Sequence, residues 1–509
     1  MVQSEAWHNG CMATSADAIL DGLDEAQRAA ATAVDGPVRI VAVAGAGKTR
    51  TVTRRIAYAC ASGAWDPART LAVTFSVKAA AEMRVRLSKL GVGEAVTAAT
   101  FHSAALHQLL RVWDEVCETP FPHITDDQRG LVAKAFARIS ELQPQESDLR
   151  DIHAEINWAK VSLIAPEDYP RVCAALHRRP PAGMEPDRFV ELYRAYETVK
   201  TSQGEIDFND ILLIACHLLD GFPEVGAAIR SSIRWLTVDE YQDVSPLQHR
   251  LMRLWLGDNR NVCVVGDPAQ TIYSFAGASS YDLLGFADEF APLSADINLA
   301  VDYRSTPQIV RCANRVLGAS PNRADYLKLD SGRRDGMRIS RTVYGTDADE
   351  AAGVAAAIAR LAARGVAPQD CAVLTRLNAQ QQVVCAALRR EGLRFRVRRD
   401  AGWQRSALDD GQAGRQAMLE TLGVSGDDAG VTVSTIHAAK GLEFKHVFLI
   451  GCSEGLLPYG SPAPGDLLEE ERRLMYVGIT RAEDSLHLSY ARGKDGAAAM
   501  QRSASRFLV

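Results

Sequence analysis

Short, fully apolar runs alternate with stretches of helical periodicity along this chain. Residues 37–43 (PVRIVAV) form a β-branched run that ends among small residues and leads into a helical pattern over residues 49–60. That is the signature of strand, loop and helix. Comparable runs recur at residues 70–75, 235–238, 262–265, 371–375, 431–435 and 446–450. A strand covered on both faces reads as continuous apolar residues, so this alternation predicts an α/β fold of two parallel-sheet domains. Residues 105–231 differ. They carry helical periodicity, the breakers Pro120, Pro122, Pro166, Pro180 and Pro181, and hardly any strand signal, which predicts a helical insertion. The chain thus divides into a first sheet domain (residues 1–104 and 232–296), the insertion, and a second sheet domain (residues 297–509). The Ala-rich residues 351–364 predict a surface helix, and no repeat of fixed period is visible.

Composition narrows the class. The chain has 509 residues, 47% hydrophobic and 24% charged, which suits about three or four globular units and not a disordered or fibrous protein. No apolar run reaches the roughly 18 residues of a membrane span, and the first residues lack a basic, then apolar, leader; a cytoplasmic protein is expected. The 10 cysteines are scattered singly without C-x-x-C spacing, so neither zinc nor an iron–sulfur cluster is expected. A net charge of −6 announces no nucleic-acid partner, and any DNA site must be a local groove.

Candidate chemistry sits where the strands end. Ala42, Val43, Ala44, Gly45, Ala46, Gly47, Lys48 and Thr49, with Arg50 behind them, follow a strand and open a helix. Backbone N–H groups and the helix N-terminus there suit a phosphate, with Lys48 for the β/γ-phosphates and the Thr49 hydroxyl for Mg2+. An ordinary Gly/Ala-rich turn is the competing reading. The strand at residues 235–238 runs into Asp239, Glu240, Tyr241, Gln242 and Asp243. Asp239 is placed to hold the metal, and Glu240 to orient and deprotonate a water attacking the γ-phosphate. A solvated acidic loop would leave unexplained a third strand ending in Gly266, Asp267, Pro268, Ala269 and Gln270, where Gln270 is a candidate γ-phosphate sensor.

With these boxes in place the chain resembles the UvrD/Rep/PcrA group of superfamily 1A DNA helicases, most closely its actinobacterial UvrD-like branch. Residues 23–27 (LDEAQ) resemble the group's Q motif, and residues 42–49 and 239–243 its Walker A and B boxes. Residues 71–80 (LAVTFSVKAA) and 100–103 (TFHS) resemble boxes that contact a single strand, and residues 264–277 (VVGDPAQTIYSFAG) the box that couples Gln270 to DNA. Residues 301–307 (VDYRSTP), 433–444 (VSTIHAAKGLEF) and 469–482 (EEERRLMYVGITRA) resemble the remaining three, in order. The resemblance implies an ATP- and Mg2+-dependent 3′-to-5′ translocase or helicase on single-stranded and tailed duplex DNA, acting in repair, recombination or replication restart. It implies that Gln27 reads adenine, Tyr303 stacks on it, Glu443 meets the ribose, and Arg304 and Arg481 reach the γ-phosphate from the second domain. A permanently charged, forked guanidinium suits that task. For the strand, Phe75, Phe101, Tyr273 and Phe275 are candidate stacking platforms, and His102 and His437 candidate phosphate contacts. Each aromatic taken alone is more often core than platform.

Three departures from the group carry expectations. Val43 replaces a P-loop glycine, which predicts either a distorted loop with weaker nucleotide binding or a strand one residue longer. Ala276 stands where relatives carry arginine, which predicts a weaker grip on the strand. Only residues 400–432 separate the strand near residues 394–399 from the box at residue 433, so the group's 2B domain is essentially missing, with residues 400–430 a short remnant. In its place, residues 389–405, from Arg389 to Arg405, are basic with Phe395 and Trp403 interleaved. That stretch suits a phosphate backbone or a protein partner, or equally a charged sheet edge. With residues 482–509 following Arg481, no nuclease domain is expected there. A DNA-stimulated ATPase subunit that needs a partner such as a nuclease is therefore the alternative function, and nucleotide and DNA binding without turnover a third.

Overall fold

The computed structural model describes residues 16–141, 143–398, 430–493 and 501–508. Six strands form the first sheet: β1 (Val38–Ala42), β2 (Thr70–Thr74), β3 (Thr97–Thr100), β4 (Trp235–Val238), β5 (Val262–Gly266) and β6 (Ala295–Leu299). Their spatial order is β3-β2-β4-β5-β1-β6, with every pair parallel. The second sheet is built from β7 (Ser340–Thr346), β8 (Cys371–Thr375), β9 (Phe395–Arg398), β10 (Val431–Thr435), β11 (Phe444–Leu449) and β12 (Ala482–Gly493). It runs β7-β12-β11-β8-β10-β9, again entirely parallel. The predicted α/β class with two parallel sheets is what the chain adopts.

The strands legible in the sequence are those buried on both faces, such as β2, β8 and β10. Two strands without an apolar run, β6 (ADINL) and β7 (SRTVYGT), lie at sheet edges with alternating or mostly exposed residues. The P-loop follows β1, the acidic box follows β4 and the Gln270 turn follows β5. Strands β4, β5 and β1 are neighbours, so all three candidate segments meet at the carboxyl edge of one sheet.

The helices of residues 101–231 divide between two hydrophobic cores. Helices Phe101–Val116, Phe208–Gly221 and Pro223–Ser231 share one hydrophobic core with β2, β4 and β5, whereas residues 131–199 pack around a core of their own. The two are tied by buried charge. Lys160 lies 2.5 Å from Asp207, 2.7 Å from Asp210 and 2.8 Å from Glu197, and Lys200 bonds the same three carboxylates. Burial opposes ionisation of Asp207, but the two ammonium groups hold its carboxyl well below the usual range. Among the described residues no single helix is long and apolar enough to cross a membrane.

Of the basic stretch at residues 389–405, residues 399–405 lie outside the described residues, as do residues 400–429 of the remnant. Within the described part, Arg389 lies 5.5 Å over the Phe395 ring, and β9 is the edge strand of its sheet.

Candidate functional site

The P-loop resolves the question raised by Val43. Its N–H donates to the Leu299 carbonyl at 3.0 Å, so backbone pairing with β6 runs one residue past β1. The side chain is 1% exposed in the core beneath the loop. The left-handed positions are instead Gly45 (φ 74) and Gly47 (φ 76), and the phosphate loop keeps glycine at both. At Gly45 a Cβ would lie 1.9 Å from Asp302 Oδ1, so glycine also permits the first domain to meet the second there. Val43 thus takes one further backbone bond beyond β1 and occupies neither left-handed position of the loop. Lys48 Nζ donates to the Ala42 and Val43 carbonyls at 3.1 and 3.2 Å.

The acidic box faces this loop. The Thr49 hydroxyl donates to Asp239 Oδ2 at 3.3 Å, and Glu240 adopts a left-handed conformation (φ 54) uncommon for a residue with a side chain. Burial and the adjacent Glu240 raise Asp239 to about 7. Burial also opposes ionisation of Glu240, yet Lys48, Lys440, the Gln242 amide and Arg481 together hold it below its ordinary value. Hard oxygen donors and a crowded carboxylate pair fit Mg2+ at Thr49 and Asp239.

From the second domain come both arginines. Arg481, 2% exposed, donates to the Val477 and Leu442 carbonyls, and burial followed by repulsion from Arg304 pushes it down to about 10. Arg304 is paired with Glu443 at 2.6 Å. Glu443, expected from the resemblance to meet a ribose, here holds this arginine. These groups, with Gln270 and Tyr303, line one cleft of about 930 Å3 between the sheets.

On the base side, Tyr303 is 46% exposed and its hydroxyl bonds Asp24 across the domain boundary. Gln27 is 2% exposed. Its amide oxygen accepts the Asp24 N–H at 3.2 Å and its amide nitrogen donates to the Ala46 carbonyl at 2.9 Å. Gln27 thus braces the P-loop, and its amide keeps one further lone pair and one further N–H for an adenine edge. Arg50 is exposed and donates to the Gly22 carbonyl.

The strand candidates split into two groups. Phe75 stacks on Tyr273 at 5.5 Å, Tyr273 packs edge-on against Phe275 at 6.0 Å, and Phe275 lies 6.0 Å from His437. The Tyr273 hydroxyl donates to the His437 carbonyl at 3.1 Å, so this aromatic face crosses both domains, with Phe275 59% exposed. Phe101 and His102 do not belong to it as surface platforms. Phe101 is 2% exposed and stacks on Trp255 at 5.7 Å, a core position. His102 is 4% exposed against the Phe208 ring, and burial pushes it down to about 3. His437 is likewise pushed down to about 3 by burial, then by Arg376 and Lys440. Neither histidine offers a phosphate a positive charge at neutral pH. Ala276 lines a small recess beside Phe75 and Tyr273.

The whole sequence carries the family's two domain signatures. Residues 23–291 match the UvrD/REP helicase N-terminal domain, and residues 297–403 and 417–493 the UvrD-like helicase C-terminal domain. The chain belongs to the UvrD/REP helicase family. It is 38% identical to the ATP-dependent DNA helicase UvrD2 of Mycobacterium tuberculosis (strain ATCC 25618 / H37Rv), an alignment covering 98% of this chain and 82% of that one. It is 28% identical to the ATP-dependent DNA helicase PcrA of Bacillus subtilis (strain 168), covering 93% and 83%. The UvrD2 alignment spans 583 positions against 509 residues here, so that relative carries residues this chain lacks.

Two residues of this UvrD/REP chain, Lys440 and Gln242, were quoted within the boxes but given no role, and Arg333 lies outside the boxes; of the three, Lys440 joins the two domains. Lys440 bonds both oxygens of Asp243, at 2.7 and 2.6 Å, and the Gln270 carbonyl at 2.6 Å, while lying 5.0 Å over the Tyr273 ring. Gln242, fully buried, donates to Glu240 at 2.5 Å and accepts the Asp267 N–H at 3.0 Å. Arg333 donates to the Arg304 carbonyl at 2.7 Å and to Asp484. Partners distant in sequence decide such roles, and spacing alone does not display them.

Proposed function

We propose that this chain hydrolyses ATP to move 3′-to-5′ along single-stranded DNA and to open tailed duplexes, in repair, recombination or replication restart. One observation carries the reading: Lys440 bonds the acidic box and the Gln270 turn of the nucleotide cleft while lying over Tyr273 of the aromatic face. A single buried side chain links the place where phosphate would react to the place where a base would stack.

In this reading Glu240, ionised and steered by Gln242, orients the attacking water and takes its proton. Lys48, Arg304 and Arg481 stabilise the charge of the transferring phosphoryl, Arg304 exchanging Glu443 for it. Thr49 and Asp239 would hold Mg2+, which supplies charge neutralisation to the phosphates. A base entering between Phe75 and Tyr273 would replace a ring pair worth about 0.5–1.5 kcal/mol with stacks worth about 1–3 kcal/mol each, so exchange is favourable without sequence preference.

The test is ATP turnover by the purified chain with and without single-stranded DNA, then strand displacement from 3′- and 5′-tailed duplexes. The Glu240→Gln variant is expected to lose roughly 10²–10⁴-fold in turnover while still binding nucleotide. Turnover indifferent to DNA contradicts the motor, and unwinding only from 5′ tails contradicts its direction. The residues that the UvrD2 relative carries and this chain lacks favour a second reading, an ATPase subunit that unwinds little without a protein partner. Turnover stimulated by DNA with no strand displacement is its expected signature.

A further inference from the structure

Helix Asp466–Ile479 of the second domain is held from two sides. Toward its own domain, Glu469 accepts the Ser320 hydroxyl at 2.5 Å and pairs with Arg472 at 3.1 Å, Arg472 also donates to the Val316 carbonyl, and Glu471 takes Arg376 at 2.6 Å. Toward the first domain it presents Glu470, Arg473 and Tyr476, spaced by three and so nearly on one face. Glu470 accepts the N–H (3.1 Å) and the hydroxyl of Ser274. Arg473 donates to the Thr271 carbonyl at 2.7 Å, and the Tyr476 hydroxyl to Asp267 Oδ2 at 3.1 Å. The partners descend 274, 271, 267 as the helix ascends, so the helix lies antiparallel along the whole segment between the nucleotide cleft and the aromatic face.

Tyr476 is fully buried and sits at a branch point. Its oxygen accepts the P-loop N–H of Ala44 at 3.2 Å. The Asp267 oxygen that it contacts also accepts Gln270 Nε2 at 2.7 Å, and the Asp267 N–H reaches Gln242, which holds Glu240. One hydrogen-bonded path therefore joins P-loop, water-orienting carboxylate and Gln270. Six residues further down the same helix, about 9 Å at 1.5 Å per residue, Glu470 grips the turn bearing Tyr273 and Phe275.

We propose that this helix is the rod that transmits nucleotide state to strand grip, with Tyr476 and Glu470 as the positioning residues at its two ends. The inference rests on the motor reading above. A helix clamped by three charged residues to its own domain moves with that domain, so a change at Ala44 or Asp267 is delivered to Ser274 without being absorbed in the loop between. Arg473 fixes the register midway.

The test uses the full chain, an oligo-dT strand, and ATP or a non-hydrolysable ATP analogue. Tyr476→Phe keeps the ring and removes the hydroxyl; DNA-stimulated kcat is expected to fall about tenfold with KM for ATP within about twofold, the size of one lost buried hydrogen bond. Glu470→Ala is expected to leave turnover without DNA unchanged and to abolish the difference in oligo-dT affinity between the nucleotide-bound and nucleotide-free chain, an effect of about 5–150-fold in coupled proteins. Glu470→Gln, which retains an acceptor, should recover most of that difference. A helix serving only as packing would lower melting temperature in all three and spare the coupling. Wild-type coupling in both Tyr476→Phe and Glu470→Ala overturns the inference. A wild-type chain whose turnover ignores DNA overturns the motor reading and this inference together.

Discussion

Lys440 and Asp243, 197 residues apart in sequence, form a two-oxygen ion pair at 2.6 and 2.7 Å across the domain boundary, with side chains 8% and 2% exposed. Removing one partner of such a pair leaves the other buried and uncompensated, at about 3–5 kcal/mol. Lys440→Met should therefore lower the melting temperature and cut DNA-stimulated ATP turnover. Adding Asp243→Asn should restore most of the stability and little of the turnover, because Tyr273 and the Gln270 carbonyl remain without their shared cation. Thermal denaturation and steady-state turnover of the single and double variants check this; equal recovery of both would reduce Lys440 to a packing role.

Val43→Gly puts at this position the glycine that the family resemblance implies and is expected to harm the protein. The position is not left-handed, its N–H bonds the Leu299 carbonyl, and its side chain is buried. Burial of valine is worth about 1.5–3 kcal/mol, and glycine in a strand costs roughly 0.5–1 kcal/mol more. The urea midpoint should fall and the affinity for ATP should not rise. Tighter nucleotide binding in the variant would mean that the valine does distort the loop.

Phe101 and Phe275 should separate cleanly. Phe101→Ala empties a core site beside Trp255 and should cost about 3–5 kcal/mol of stability. Phe275→Ala removes an exposed ring and should leave the melting temperature nearly unchanged while weakening oligo-dT binding by about 1–3 kcal/mol. Fluorescence anisotropy and thermal melts of the two variants measure both quantities.

His102 adds a pH dependence. Burial pushes it down to about 3, so the native chain leaves it neutral where the unfolded chain, near 6.5, binds a proton. Its contribution to stability is complete above pH 6.5 or so and is lost as pH falls toward 3. His102→Leu should thus be more destabilising at pH 8 than at pH 5, measured by urea unfolding. A gap that widens in acid would show that the imidazole is charged in the folded state.

Local patterning alone determined the parallel α/β class, the places where β1, β4 and β5 end, and the P-loop and acidic-box candidates, because a strand covered on both faces must be continuously apolar and phosphate loops need glycine at fixed offsets. Glycines at positions 45 and 47 alone carry the left-handed turns, so the loop was readable despite Val43. What the tertiary structure decided is which polar and aromatic residues are paired, and with what. Phe101 and Phe275 are the same residue type beside similar boxes, yet one lies under Trp255 and the other faces solvent. The run Glu469 to Arg473 reads as an ordinary charged helix face. In the fold its five charges reach Ser320, Ser274, Arg376, the Val316 carbonyl and the Thr271 carbonyl respectively. Helical spacing says which side chains share a face, but burial of charge depends on partners 95 or more residues away, and only the packed domains bring those together.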